Sequence, residues 1–270
     1  MGGSADTATF RPLAPAQAAA PPRPAPASGG TLLRLFKLFL AVSLIPACVG
    51  AGLGANDYFL SAWSHVNLVA TLPGTMLKWF AMGCVGFAAI TVLIWCPVVL
   101  YVFGHEVVHA MATWICLGKV SNISASATGG QVTTSKSNTF IRLAPYCVPL
   151  YALLAAALYL CLNAWWRPLN DQIQWLACAL GFLYTFHLGF TLWSLRRDQP
   201  DLRPDGWLFS LVLVYLANVA VFVLLMGFIY GGNPQSAWLA LKDCGISSWR
   251  HSAQIYRNLG EMFQQMFSRL

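Results

Sequence analysis

From residue 32 to residue 230 the chain passes through apolar runs of twenty residues and more that carry hardly a charge. A run of about 20 apolar residues is what a helix needs to cross the roughly 30 Å hydrocarbon layer of a bilayer. In a soluble helix of that length a polar face would recur every three to four residues, and here it does not. With 57% hydrophobic and only 9% charged residues, and a mean hydropathy of +0.60, too little polar surface exists to clothe a soluble globule. The expectation is an α-helical polytopic membrane protein with about five transmembrane helices, near 32–52, 77–117, 144–166, 175–195 and 207–230.

The second of these runs is anomalous. As one straight helix it would extend about 60 Å, twice the hydrocarbon thickness. No polar loop interrupts it, so the reading is a single long helix that tilts or kinks, with Pro97 as the kink. After it comes "GKVSNISASATGGQVTTSKSNTF", whose alternation of small, polar and β-branched residues around Gly129-Gly130 predicts a β-hairpin. Residues 1–30, rich in Ala and Pro, cannot assemble a core and are expected to be disordered. The stretch 31–231 then forms one membrane domain, with its core at about 95–231. Residues 232–270 form a tail whose Trp249, Tyr256, Leu259, Met262, Phe263, Met266 and Phe267 recur at helical spacing, predicting an amphipathic helix that lies on a membrane or on the protein.

The net charge of +7 comes from 16 Lys and Arg against 9 Asp and Glu, and most of the basic residues flank apolar runs. That placement suits lipid headgroups and gives no surface for nucleic acid. With five crossings, the amino terminus, the hairpin and the 196–206 loop share one side, together with ten basic residues, which predicts that side to be cytoplasmic. The compactness of the chain suits a bacterial inner membrane. None of the eight cysteines forms a C-x-x-C pair, and they read as small buried hydrophobes.

One stretch breaks the apolar monotony. "FGHEVVHAMATW", residues 103–114, gathers two of the five histidines and one of the two glutamates of the chain within five positions. On a helix, His105 and His109 project within about 40° of one another and about 6 Å apart along the axis, so both imidazoles can grip one ion. Glu106 stays near that ion without joining the ligand set. This is H-E-x-x-H, the pattern of a zinc site in which the glutamate serves as general base towards a water that Zn2+ acidifies. From the composition of this chain the pattern arises by chance on the order of once in a thousand, which sets coincidence aside.

A catalytic zinc takes three protein ligands and keeps one position open. The loop "LRRDQPDLRPDGWLFS" offers Asp201 and Asp205, each following a proline, and either can be the third ligand. His187, alone deep in the span "FLYTFHLGFTLW", is a further candidate for ligand or substrate contact.

With these residues in order, the chain resembles the site-2 protease type of intramembrane zinc metalloproteases. The shared features are "HEVVH" at 105–109, a hairpin around "ATGGQV", and "PDLRPDG" at 200–206, where the family's Pro-rich turn and Asp-Gly supply the third zinc ligand. The resemblance covers about 95–231, and its N-P-x-P-x-L-D-G pattern is not intact here, so it does not choose between Asp201 and Asp205. It implies hydrolysis of peptide bonds in or near the membrane, a membrane-protein substrate helix as partner, Glu106 as catalytic base, and His187 and Asn218 as oxyanion donors. The rival is a membrane protein that holds or passes zinc or protons without hydrolysis. Such a path needs ionisable residues in several spans, whereas outside the motif His187 is the sole His, Asp or Glu well inside one.

Overall fold

The computed structural model describes residues 30–64, 72–93, 97–126, 128–165, 172–197 and 199–268. The Ala/Pro-rich segment 1–29 lies outside the described residues. Nine helices and a two-stranded sheet are described: α1 (Thr31–Ser43), α2 (Ile45–Ser64), α3 (Leu72–Leu93), α4 (Val98–Ile115), β1 (Val120–Ser126), β2 (Gly129–Thr134), α5 (Thr139–Cys147), α6 (Leu150–Trp165), α7 (Ile173–Leu195), α8 (Trp207–Gly231) and α9 (Pro234–Phe267). Among the described residues, five stretches are long and apolar enough to cross a membrane: Thr31–Ser61, Thr75–Leu93, Val98–Ile115, Ile173–Leu195 and Trp207–Gly231. Large apolar side chains on them stand exposed, Leu32 and Val92 each by 82%, as lipid-facing residues do. The protein is a multi-pass α-helical membrane protein.

The spans are not cut where the apolar runs suggest. The run at 77–117 is two helices and not one kinked helix. Proline has no N–H to give, which suits the start of a helix and not its interior; α3 is described as far as Leu93, and Pro97 caps the start of α4. Each half is long and apolar enough to be a span by itself, so the candidate spans are five as expected but are divided differently along the chain. The expected span at 144–166 is likewise a pair, α5 and α6, bent by 70° where Pro149 follows Val148. The first span continues past residue 52, through α1 and α2, to Ser61.

Close packing is carried by small residues. A Cβ on Gly83 of α3 would sit 1.9 Å from the Cys178 carbonyl oxygen of α7, and one on Gly181 of α7 would sit 2.0 Å from that of Phe80. Between helices in lipid such backbone approach supplies the van der Waals contact that the hydrophobic effect does not. Behind this seam lies the main core, with Met76, Phe80, Leu180, Tyr184, Met226 and Ile229. Ser248 and Ser252 of α9 fit against Gly54 and Gly50 of α2, and Ala237 and Ala240 against Gly227 of α8. The first half of α9 therefore packs on the protein, and the stripe from Tyr256 to Phe267 is exposed.

The hairpin follows the motif helix as expected. β1 and β2 pair antiparallel from Val120↔Thr134 to Ser126↔Gly129, with an irregularity between Ser121 and Ile123. Asn122 there adopts a φ of 53°, a left-handed conformation that asparagine tolerates better than most residues. Gly129 and Gly130 are not the turn; they open β2, opposite Ser126 and Ala125.

Candidate metal centre

α4 buries the face that carries the motif: Tyr101, Val102, Glu106, Val108, His109, Ala112 and Thr113 are buried, and Phe103, Met111 and Trp114 are exposed on the other side. Antiparallel packing on α5, through Val108, Ala112, Ile141 and Ala144, fixes the helix. That contact also orients a ligand. His109 Nδ1 lies 2.8 Å from the Ile141 carbonyl oxygen, and donating its proton there leaves the Nε2 lone pair free. The His105 ring stands edge-on to that of His109, with centroids 4.8 Å apart.

Asp201 completes the group. Its Oδ2 lies 3.6 Å from His105 Nε2 and 3.5 Å from His109 Nε2, and the three donor atoms fall within 4.8 Å of one another. Metal–ligand distances of about 2.0–2.2 Å in a tetrahedral site put neighbouring donors about 3.3–3.6 Å apart. The donor set and its spacing fit a metal ion. Burial alone would push the Asp201 carboxyl up, but the His105 and His109 imidazoles hold it below the ordinary carboxylate range.

Asp201 reaches the histidines from the 199–206 loop, whose inner anchor is the fully buried Leu202, packed with Leu143, Tyr146 and Val214. The Tyr146 hydroxyl, within reach of both Asp201 Oδ2 at 3.1 Å and Gln199 Oε1 at 3.3 Å, braces the carboxylate. Gln199 in turn donates to the Ser194 carbonyl oxygen at the end of α7.

Asp205 goes elsewhere. Its buried carboxylate receives Lys37 of α1 on Oδ1, Thr139 on Oδ1 at 2.8 Å, and Arg142 of α5 on Oδ2 at 2.6 and 3.1 Å. Burial would raise its carboxyl, but these three partners outweigh that and hold it below the usual range. The aspartate of the Asp-Gly pair is thus an ion-pair node and not the one beside the imidazoles. Gly206 after it has a φ of 89°, which lets the chain turn into α8.

Glu106 faces the hairpin. A Cβ on Gly130 of β2 would come within 2.6 Å of Glu106 Cγ and 2.7 Å of its Oε1, so a glycine there lets the strand lie directly over the carboxylate. Between strand and helix runs a cleft of about 510 Å³ lined by His105, Glu106, His109, Asp201, Gly130 and Arg197 among others. Its size is ordinary for a ligand site.

His187 and Asn218 do not line this cleft. Asn218 spends its amide N–H bonds on the carbonyl oxygens of Tyr146 and Val214, 2.8 Å each. His187 sits behind His105, against a separate small space. Reading the sequence missed Tyr146, since nothing marks one tyrosine among nine, and it marked Gly130 only as part of the hairpin, because the role of each arises from what it touches.

Comparison with protein-family models, with curated proteins and with solved structures found no match.

Proposed function

We propose that this chain is an intramembrane zinc metalloprotease of the site-2 protease type. The observation that carries the reading is the convergence of Asp201 on the two motif imidazoles while Glu106, one residue from His105, stays outside the donor set and on the same cleft.

Zinc bound by His105, His109 and Asp201 would supply a Lewis acid for the scissile carbonyl and would acidify a water at the open position. Glu106, on the same cleft and outside the donor set, would serve as the general base that accepts a proton from the attacking water and passes it to the leaving amine. The surroundings of Glu106, buried between α4 and β2, keep it close to the reacting atoms and away from bulk water. A substrate helix hides its amides in internal hydrogen bonds, so a segment must unwind before attack. Among the described residues the sheet has only β1 and β2, and the unpaired edge of β2 beside the cleft can hold an unwound segment by strand addition. Lys37, Arg142 and the 199–206 loop meet at Asp205, which gathers basic residues at one end of the molecule. We place that end, with the amino terminus, on the cytoplasmic side of a bacterial inner membrane.

The test is zinc per chain in detergent-purified protein, together with cleavage of membrane substrates recovered with a Glu106→Gln trap. One zinc in the wild type, retained by Glu106→Gln with turnover abolished, is the expected result. Zinc bound while neither wild type nor trap engages a peptide substrate would point to a non-catalytic metal-holding protein. No zinc bound or taken up would overturn the reading.

A further inference from the structure

His187 is the imidazole that the site does not absorb. It lies in the middle of α7, is 6% exposed, and its ring stacks on Tyr184 with centroids 6.3 Å apart. Its Nε2 is buried without a hydrogen-bond partner among the described residues, and so is Nδ1 of His105. Both residues line one small space of about 20 Å³ behind the candidate metal centre, otherwise walled mainly by apolar side chains such as Val108, Pro145, Leu183 and Phe186. Tyr101, whose hydroxyl is also buried and unpartnered, lines it too. A space of about 10–15 Å³ admits one water, provided that two to four polar groups hold it.

The two motif histidines differ in how they are held. His109 gives its Nδ1 proton to the Ile141 carbonyl oxygen; His105 has no such protein acceptor. A metal-ligating histidine almost always donates its second nitrogen to a carboxylate, a carbonyl or a water. We propose that a water in this space accepts from His105 Nδ1–H and donates to His187 Nε2, making His187 a positioning residue that fixes the tautomer and ring plane of His105 from a neighbouring helix. The inference rests on His105 being a metal ligand. It assigns the buried histidine of α7 to the support of the metal centre, one helix removed from the cleft.

Cobalt(II) titration of the full chain, purified in detergent and stripped of metal, tests this without any substrate. The wild type should bind one cobalt with visible bands of a tetrahedral site. His187→Phe should weaken binding about 10- to 100-fold and shift those bands. His187→Gln, which can still bond a water, should shift the bands and weaken binding at least threefold, but less than phenylalanine does. Affinity within twofold of the wild type and an unchanged spectrum in His187→Phe would overturn the bridge, as would glutamine performing no better than phenylalanine. If the phenylalanine variant does not fold, the glutamine variant decides against the wild type, and unchanged affinity and bands sink the proposal. Wild type that takes up no cobalt would instead bring down the metal-site reading, and this inference with it.

Discussion

At the scale of single residues, two aspartates four positions apart do unrelated work, and substitution should separate them. His109→Ala and Asp201→Ala each remove one of three donors and should leave less than a tenth of the zinc per chain by elemental analysis. Asp205→Asn should keep the zinc. It leaves Lys37 and Arg142, whose side chains are only 15% and 11% exposed, facing no carboxylate. Breaking a buried pair in this way costs about 3–5 kcal/mol, to be read as a fall in Tm in detergent. The same group sets a pH dependence. Because the folded Asp205 carboxyl titrates below its unfolded value, its contribution is complete above the ordinary carboxylate range of about 4. It is lost as pH falls below that range through the folded value. Wild-type Tm should therefore drop on acidification through this window by more than that of Asp205→Asn; parallel curves would count against the node.

At the scale of elements, the hairpin lies close on the motif helix because Gly130, the second residue of β2, has no side chain. Gly130→Ala places a methyl against Glu106 Cγ and Oε1, so either the strand lifts or the carboxylate turns. Zinc content should stay at the wild-type value while cleavage of a membrane substrate falls at least tenfold. A wild-type cleavage rate in this variant would show that contact between strand and carboxylate is not needed. The α3–α7 seam makes a comparable demand with no chemistry attached. Gly83→Leu must push two backbones apart at a point where even a Cβ would lie 1.9 Å from a carbonyl oxygen, and overpacking of this kind costs about 1–3 kcal/mol. The expected reading is a lower Tm with zinc stoichiometry unchanged.

At the scale of the whole molecule, Asp205 ties the first helix to the elements around the candidate metal centre, and α9 packs along α2 and α8. The single node joins three segments far apart in sequence: Lys37 near the start of the first span, Arg142 after the hairpin, and the loop before the last span. Limited proteolysis of Asp205→Asn should therefore cut first in the 199–206 loop. Protection equal to that of the wild type would mean that Leu202 alone holds the loop in place.

The order of apolar runs determined that the chain is a helical, multi-pass membrane protein, and the spacing of "HEVVH" determined that two imidazoles share a helix face. Both follow from local periodicity, which a linear sequence displays directly. The alternation after Gly118 likewise announced the hairpin. Where the spans break was half legible: Pro97 stood out as a kink and Pro149 did not, since whether a proline bends a helix or ends it depends on the packing around it. The choice between Asp201 and Asp205 was not legible at all. Each follows a proline in a loop without regular period, so no helical or strand repeat says where either carboxylate points. Tertiary structure sets Asp201 beside the imidazoles and Asp205 away from them, through a buried leucine at 202 that anchors the loop and a tyrosine at 146 that braces one carboxylate, while a lysine and an arginine from distant helices claim the other. Those contacts join residues up to 168 positions apart, and only the folded chain brings such partners together.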